Sequence, residues 1–549
     1  MRIHYSRHVT KTVAGAILDI LWKAGVRETF GIPGVHNLAF WNALSANRPS
    51  IRSVRHEQTT VYAADGLARS TGGLGVAFTT TGPGAANTLG AFGEAAVSNS
   101  AVLVISSEAP IKLRKSELSR GLLHEMTDQS SLFSPLAKKD DAGKALAISA
   151  VTGEKAIKAA QYLVTELLKS PRGSGYLGIP SDVLNQEIDF QIQKIETNHQ
   201  GENVNIPNEI PELIVSSKKV SIWAGGGVLE FSDQIGKLSD HLAAPIFTSF
   251  AGRGVGSSSP NYLQFPIHEN EASQLMSESD LLLVFGSELD GMNTKNWSIP
   301  WPVEIVVVDI RPEKATQNCQ AKHQIKTADI SSIVEQLCEL PKKHPWADVV
   351  KLNLEVKNRL KNDEKEKSGT TLVEAIDNSW PQSDPVFCDM AVSGYWVGVY
   401  GKNERPRRTA YPVGWGTLGF ALPAAIGAAS SGMKPLVICG DGGFAFALSE
   451  LATIAQEKLP ITILLNDDGG YGMLRFDQQV MNHKEQGVDL FNPNWKTLSE
   501  SFQIFFKESN LANLEKDLKE QYERNQPGLL LLREKFFPPR STSPRWREA

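Results

Sequence analysis

Short apolar runs typical of buried strands alternate with segments whose apolar residues recur at helical spacing. In the most informative unit, the apolar runs Leu436–Cys439 and Ile461–Leu465 flank a helical pattern. An acidic residue follows each run: Asp441 after the first, and Asp467 and Asp468 after the second. Because the carboxyl ends of neighbouring parallel strands meet at one edge of a sheet, we expect these acidic groups to converge.

Converging carboxylates beside glycines are suited to a divalent cation that holds a diphosphate. Asp441 lies in Gly-Asp-Gly-Gly, and Asp468 is followed by Gly469 and Gly470, so the backbone can approach a ligand closely. Carboxylate oxygens are ordinary ligands for a hard cation. An alternative is an ordinary nucleotide-type α/β crossover that ends in an acidic turn by chance.

The same alternation over the whole chain predicts an α/β fold with three doubly wound parallel-sheet domains. We place the domains at residues 1–185, 206–342 and 368–535, with a linker at 186–205 that offers few apolar anchors. Near the N-terminus, apolar residues from Val13 to Leu21 recur with helical period, which indicates an amphipathic first helix rather than a signal peptide.

Composition narrows the classes of function. The 549 residues carry 56 Lys and Arg against 61 Asp and Glu, a net charge of −5 without a basic stripe. This balance argues against nucleic acid or an anionic membrane as a partner. The four cysteines have no metal-ligand or disulfide spacing, and no apolar run is long enough to span a bilayer. We therefore expect a cytoplasmic protein.

The unit around Asp441 resembles the metal–diphosphate motif of thiamine-diphosphate enzymes. In that motif Gly-Asp-Gly is followed about two dozen residues later by Asn-Asn, and Asp467 and Asp468 occupy those positions here. The resemblance implies thiamine diphosphate and Mg²⁺ as cofactors, with the Asp441 and Asp468 side chains and the Gly470 carbonyl as metal ligands. It also implies cofactor contacts from Asp441, Gly442, Gly443, Tyr471, Gly472 and Met473.

A second segment, from Arg55 to Arg69, resembles the signature of the acetolactate-synthase branch of this superfamily. By that resemblance, Glu57 contacts N1′ of the cofactor's aminopyrimidine and stabilises its protonated form, which makes Glu57 an acid–base residue. Without the Gly-Asp-Gly unit, a glutamate that begins a helix and favours its dipole would be the commoner explanation.

Two further segments match loops of the same family. Tyr411–Ala429 resembles the glycine-rich segment that grips the middle of the cofactor, with the Gly416 carbonyl at the 4′-amino group and Leu418 wedged between the rings. Gly31–Gly34 and Thr79–Asn87 resemble the pyrimidine-side loops; from the second, the resemblance adds Pro83 and Asn87 as cofactor contacts.

The resemblance implies an enzyme acting on a small 2-oxo acid, which forms an adduct with the cofactor's C2 ylide and loses CO₂. The resulting enamine is protonated or ligated to a second carbonyl, so decarboxylase and carboligase both remain open. Alternatives are C–C bond hydrolysis or acyl transfer with the same cofactor, or a subunit without catalysis. The family also implies a homodimer or homotetramer whose active sites are shared between chains.

Several positions depart from well-known members of the family. Val35 and Leu474 stand where pyruvate decarboxylases have acidic residues, and Asp477 stands where acetolactate synthases have a tryptophan. Residues 286–292 lack the arginines of the flavin-binding pattern, which argues against bound FAD. His124 aligns with a loop that brings a glutamine beside the cofactor in acetolactate synthases, and we predict a catalytic role for it. A histidine of a surface loop is the alternative.

Overall fold

The computed structural model describes residues 12–114, 120–190 and 204–542. The described residues divide into two compact units. The first unit holds the described residues up to 190 together with 414–417 and 426–431, and the second holds the remainder. Most of the predicted linker, residues 191–203, lies outside the described residues. The domain boundaries given above stay predictions.

A parallel sheet of six strands, in the order β2-β1-β3-β4-β6-β5, forms the centre of the first unit. Its elements in chain order are α1 (Val13–Lys23), β1 (Glu28–Gly31), α2 (Leu38–Asn42), β2 (Ser50–Ser53), α3 (Glu57–Thr71), β3 (Gly75–Thr79), α4 (Pro83–Ala86), α5 (Leu89–Val97), β4 (Val102–Glu108), 3-10 helices at Ile111–Leu113 and Ser130–Leu132, β5 (Ala147–Ser149), α6 (Gly153–Leu168), β6 (Gly175–Pro180) and α7 (Ser181–Leu184).

A second parallel sheet has five strands in the order β11-β10-β9-β7-β8. It is built from α8 (Glu209–Ser216), β7 (Val220–Ala224), a 3-10 helix at Gly226–Phe231, α9 (Ser232–Leu242), β8 (Ile246–Thr248), α10 (Asn270–Ser277), β9 (Leu281–Phe285), β10 (Glu304–Asp309), α11 (Pro312–Thr316), β11 (His323–Lys326) and α12 (Ile330–Leu337).

The third sheet is also parallel, with six strands in the order β13-β12-β14-β15-β17-β16. Its region contains α13 (Val349–Asn362), α14 (Lys367–Ser379), β12 (Val386–Cys388), α15 (Val392–Tyr400), β13 (Thr409–Ala410), α16 (Ala421–Ser430), β14 (Leu436–Gly440), α17 (Asp441–Phe444), a 3-10 helix at Ala445–Glu450, α18 (Leu451–Gln456), β15 (Thr462–Asn466), α19 (Gly472–Val480), α20 (Trp495–Ser501), β16 (Phe505–Ser509), α21 (Leu514–Arg524) and β17 (Gly528–Leu532).

Three all-parallel sheets with helical crossovers confirm the predicted α/β fold class. The first and third sheets share one strand order: in each, the second strand lies at one edge beside the first, and the fifth lies at the other edge beside the sixth. The chain therefore uses the same topology twice, with a different sheet between the two copies. The two sheets can serve different sites because the loops after their equivalent strands carry different side chains.

The first helix is buried more completely than its amphipathic pattern predicts. Eight of its residues are buried, including Val13, Ile17, Leu18 and Leu21, and Thr12 caps its N-terminus by accepting from Gly15 N. Among the described helices, none is long and apolar enough to cross a membrane.

Three consecutive glycines, residues 225–227, follow β7 and allow two backbone segments to pack closely. A Cβ on Gly225 would lie 2.2 Å from the Gly286 carbonyl oxygen, and one on Gly227 would lie 2.9 Å from Gly286 Cα. The turns after β7 and β9 are therefore in backbone contact, which only glycine permits.

A charged cluster joins segments of the second unit that are distant in sequence. The buried carboxylate of Glu269 accepts from Tyr400 Oη at 2.6 Å and pairs with Arg359. Arg359 also binds Glu271 at 2.7 Å and Glu366 at 3.1 Å. Because a buried charge is costly unless it is paired and hydrogen-bonded, this cluster fixes α13 and α15 against the segment before α10.

One buried histidine makes the stability of the second unit depend on pH. His268 is 3% exposed and stacks on Phe250 with ring centroids 6.0 Å apart. Burial, with a contribution from positively charged Lys295, lowers the pKa of His268 to about 4. The folded protein therefore keeps this ring neutral at pH values where the unfolded chain protonates it.

We predict that this histidine costs the folded state about 2 kcal/mol between pH 7 and pH 5, because only the unfolded chain takes up the proton there. The free energy of unfolding therefore decreases as the pH falls from the ordinary histidine pKa towards the lowered pKa of His268. His268→Gln should flatten this part of the stability profile, measured by urea unfolding at both pH values. His344→Gln, a change at an exposed histidine, is the control. An unchanged slope in His268→Gln would contradict the prediction.

Candidate functional site

Acidic residues follow two neighbouring strands at the carboxyl edge of the third sheet. β14 and β15 pair in parallel, with Gly440 opposite Asn466. Asp441 follows the first strand, and Asp467 and Asp468 follow the second. The hydrogen bonding of the strands therefore brings together acidic residues that are more than twenty positions apart in sequence.

The chain leaves two of these carboxylate oxygens without a hydrogen-bond partner. Asp441 is 1% exposed; its Oδ2 accepts from Asn492 Nδ2 at 2.5 Å, while its Oδ1 has no partner among the described residues. Asp468 Oδ1 is likewise buried and unpaired within the described chain. Burial and then the charge of Asp441 raise the pKa of Asp468 to about 6. Such oxygens are available to a cation.

Asp467, by contrast, is fully engaged by the protein. Its Oδ2 accepts from Trp495 Nε1 at 2.9 Å and from Arg533 Nη1 at 2.7 Å. Its Oδ1 accepts from Asn492 Nδ2 at 2.8 Å. Asp467 therefore holds the loop after β15, and the sequence showed no signal for its distant partners.

Glycines around Asp468 let neighbouring groups of the protein pack directly against the backbone. A Cβ on Gly472 would lie 2.0 Å from Asp468 Oδ2, and one on Gly442 would lie 2.6 Å from Tyr471 Cε1. Gly470 has φ +150, and a Cβ there would lie 1.9 Å from the Val488 carbonyl oxygen. Across the described residues, no three His, Cys, Asp or Glu side chains group as a metal site. A cation held by Asp441 and Asp468 would therefore need further ligands, such as backbone, amide, cofactor or water oxygens.

Asp389, which the sequence analysis missed, anchors the glycine-rich segment from within the second unit. It follows β12, is 1% exposed, and accepts from the N–H groups of Met390 and Gly419, each at 3.0 Å. Burial raises its pKa to about 6. The carboxylate thereby fixes the backbone next to Leu418. An acidic residue directly after an apolar strand was the available signal.

In the first unit, Glu57 is the first residue of α3. The helix is capped by His56, whose Nδ1 accepts from Gln58 N at 3.1 Å. Glu57 is half-buried, and its Oε2 accepts from Asn87 Nδ2 at 3.1 Å. The structure thus brings together two residues predicted from separate motifs, and Pro83 begins the short helix α4 just before Asn87.

A buried amide holds the loop that contains Pro83. Gln129 Oε1 accepts from Gly82 N at 2.7 Å and from Thr81 Oγ1 at 3.2 Å. Its Nε2 donates to Tyr176 Oη at 2.6 Å and to Ser106 Oγ at 3.0 Å. Since this one side chain satisfies donors and acceptors from three segments, Gln129 fixes the loop after β3. Its role depends on tertiary contacts and left no mark in the sequence.

The segment around Gly416 is anchored by a second buried carboxylate. Glu94 is 0% exposed and accepts from the N–H groups of Gly414 at 3.1 Å and Trp415 at 2.7 Å. Arg69 donates to Glu94 at 3.0 Å and also pairs with Asp65 at 2.7 Å. The pairing with Arg69 compensates the buried charge, so Glu94 can hold this loop in one conformation.

Comparison with models of known protein families identifies the family to which these loops belong. The N-terminal TPP binding domain of thiamine pyrophosphate enzymes matches residues 11–132, the central domain matches 208–337, and the C-terminal TPP binding domain matches 389–532. The chain belongs to the thiamine pyrophosphate enzymes. The family relation drawn from the sequence motifs is confirmed, and thiamine diphosphate is the cofactor.

Curated relatives of this thiamine pyrophosphate enzyme cover nearly its whole length. A probable 2-ketoarginine decarboxylase of Pseudomonas aeruginosa is 30% identical over 541 residues, which is 95% of this chain and 94% of that protein. A probable acetolactate synthase large subunit of Methanocaldococcus jannaschii is 27% identical, over 94% of this chain and 91% of its own. A chloroplastic acetolactate synthase of Arabidopsis thaliana is 27% identical, over 84% of this chain and 70% of its own length.

The two acidic positions after β15 should affect stability in opposite directions when no cation is present. Asp468→Asn removes a partly buried charge beside Asp441, so we expect the free energy of unfolding in EDTA to rise by about 1 kcal/mol. Asp467→Asn weakens the bonds to Trp495 and Arg533 and should lower it by about 1–2 kcal/mol. Urea unfolding of both variants measures the difference, and shifts of the same sign would disprove it.

Proposed function

We propose that this enzyme uses thiamine diphosphate and Mg²⁺ to act on a small 2-oxo acid, releasing CO₂ and then protonating the product or joining it to a second carbonyl compound. The observation that carries the proposal is that Asp441 Oδ1 and Asp468 Oδ1 have no hydrogen-bond partner among the described residues, in loops rich in glycine. Relatives named for 2-ketoarginine decarboxylation and acetolactate synthesis agree with this chemistry.

The diphosphate half of the site depends on Asp441, Asp468 and the Gly470 carbonyl, which would bind Mg²⁺. The second carboxylate, where the family usually has asparagine, adds negative charge and strengthens attraction to the cation. Gly442, Gly443 and Gly472, which have no side chains, would let the diphosphate oxygens approach the backbone closely. The Tyr471 ring, which lies against Gly442, and Met473 at the start of α19 would border them.

The pyrimidine half depends on Glu57, which would hold a proton at N1′ of the aminopyrimidine. Asn87 donates to Glu57 Oε2 and orients the carboxylate. When bound, the cofactor supplies a nucleophilic carbon and a cationic ring that accepts the electron pair left as CO₂ departs. The carboxylate of Glu57 is thus the chain's own acid–base group.

The glycine-rich segment would position the middle of the cofactor. Glu94 fixes the N–H groups of Gly414 and Trp415, so the Gly416 carbonyl next to them is presented in one orientation. In the other unit, Asp389 fixes Gly419, the neighbour of Leu418. We assign the Gly416 carbonyl to the 4′-amino group and the Leu418 side chain to the wedge between the rings.

The decisive experiment supplies a panel of 2-oxo acids with aliphatic, aromatic and guanidino side chains. We expect CO₂ release from at least one, with the product identified by mass. Glu57→Gln, which keeps the size but cannot pair with a protonated N1′, should lower turnover and C2–H deuterium exchange by at least 100-fold. Cofactor affinity should stay within a few-fold. No CO₂ release from any member, with cofactor bound, would refute the proposed function.

The same preparation tests the cation. Alanine at Asp468 should weaken Mg²⁺-dependent retention of the cofactor far more than alanine at Asp467. Of these two residues, Asp468 is the one with an oxygen that lacks a partner among the described residues. Gel filtration at a temperature where both variants are folded separates retention from stability. Equal losses of cofactor retention in the two variants would mean that our assignment of the metal ligand is one residue off.

We also propose that the Glu57 half of one chain and the Asp441 half of another complete each site, so that a homodimer is the smallest active assembly. Glu57→Gln and Asp441→Ala chains should each be inactive alone. After random subunit exchange, half of the dimers are mixed and each has one intact site, so activity should recover to roughly a quarter of wild type. Demonstrated exchange without recovery would mean that one chain builds a whole site.

A further inference from the structure

Two histidines from distant loops meet at the carboxyl edge of the first sheet. The rings of His36 and His124 lie with centroids 5.8 Å apart and planes inclined by 57°. His36 lies in the loop after β1, and His124 lies in the segment after β4. The pairing therefore arises from the fold and not from proximity in sequence.

The backbone around His124 is adapted to this position. His124 has φ +58, an uncommon left-handed conformation for a residue with a side chain. Its carbonyl oxygen would lie 2.7 Å from a Cβ on Gly82, so Gly82 must be glycine for the two loops to touch. Such a residue is held in place only where its surroundings determine it, and this arrangement is common at binding sites.

The histidine pair lies on the same cluster of loops as Glu57. A Cβ on Gly34 would lie 3.1 Å from Thr80 Cβ, and one on Gly84 would lie 2.7 Å from Thr80 Cγ2. The same Cβ on Gly84 would lie 3.9 Å from Glu57 Oε1. Thr80 thus links the loop of His36 to the loop beside the catalytic carboxylate.

Among the described residues, no hydrogen bond to Nδ1 fixes the tautomer of either ring. His56 and His241 are structural: one accepts from Gln58 N, and the other contacts the Leu340 carbonyl at 2.7 Å. The Nδ1 atoms of His36 and His124 are buried and have no hydrogen-bond partner among the described residues. A hydrogen bond from the protein would normally decide which nitrogen carries the proton. Here that decision is left to a ligand.

The pair also favours an anion over a cation. Burial lowers the pKa of His36, and the neighbouring His124 lowers it further. Two positively charged imidazoles would repel each other, and an oxygen anion between them relieves that repulsion while accepting an N–H from each ring.

We infer that His36 and His124 form the subsite for the carboxylate group of the 2-oxo acid, an inference that rests on the proposed function. His124 and His36 both contact the substrate, so both are binding residues for the same group. The subsite recognises the carboxylate group of the substrate and does not distinguish 2-oxo acids by their side chains.

Substitution should raise KM and spare kcat. The carboxylate leaves during the reaction, so contacts to it stabilise the bound substrate at least as much as the transition state. We expect His36→Gln, His124→Gln and His124→Leu each to raise KM about 10- to 30-fold, with kcat unchanged or higher. Because one carboxylate contacts both rings, the rise in KM of the double variant should be much smaller than the product of the two single rises.

Structural damage is distinguished by two controls. Deuterium exchange at the cofactor's C2 without substrate should be unchanged in all variants, and exposed His344→Gln should match wild type throughout. The amide of the best 2-oxo acid, used as an inhibitor, should bind wild type weakly and be unaffected by the substitutions. A fall in kcat at constant KM, or kinetics unchanged in both single variants, would overturn the subsite.

The same question can be answered by binding alone. In protein labelled with ¹³C-histidine, the imidazole signals of His36 and His124, assigned through the variants, should shift on adding the 2-oxo acid but not its amide. If wild type turns over no 2-oxo acid, the proposed function fails, while these shifts would still uphold the carboxylate subsite. Signals that stay fixed at saturating 2-oxo acid would refute it.

Discussion

The proposed site depends on two carboxylates, each of which keeps one oxygen without a hydrogen-bond partner among the described residues. Asp441 and Asp468 are held at the ends of adjacent parallel strands, where burial raises the pKa of both. A folded protein normally pairs such groups, and here the neighbouring Asp467 takes the available donors from Asn492, Trp495 and Arg533. A cation would relieve the resulting electrostatic cost, so we expect its binding to be coupled to the stability of the fold.

A second constraint is the positioning of loops by buried polar side chains. Gln129 holds the loop after β3, Glu94 holds Gly414 and Trp415, and Asp389 holds Gly419. Each accepts backbone N–H groups that would otherwise be unpaired, which is the general requirement for a buried turn. None of the three needs to touch the cofactor to matter. Together they convert flexible glycine-rich segments into surfaces of fixed shape.

The first and third sheets show how one topology serves two kinds of chemistry. Their strand orders are equivalent, yet Glu57 follows β2 in the first sheet while Asp441 follows β14 in the third. The carboxyl edge of a parallel sheet is where loops can differ without disturbing the core. The histidine pair lies at the same edge, where we propose that it binds the substrate.

The sequence by itself determined the fold class, the family and the cofactor, because apolar periodicity and short spaced motifs are local properties. It also indicated Glu57, Asp441 and Asp468 as candidates, since each directly follows a predicted strand or begins a predicted helix. The boundaries of the three domains and the compartment remain predictions. Tertiary structure alone decided which of the two adjacent aspartates keeps an unpaired oxygen, and that His36 lies against His124. Those facts depend on partners many residues away, and a single sequence does not encode such contacts in any local pattern.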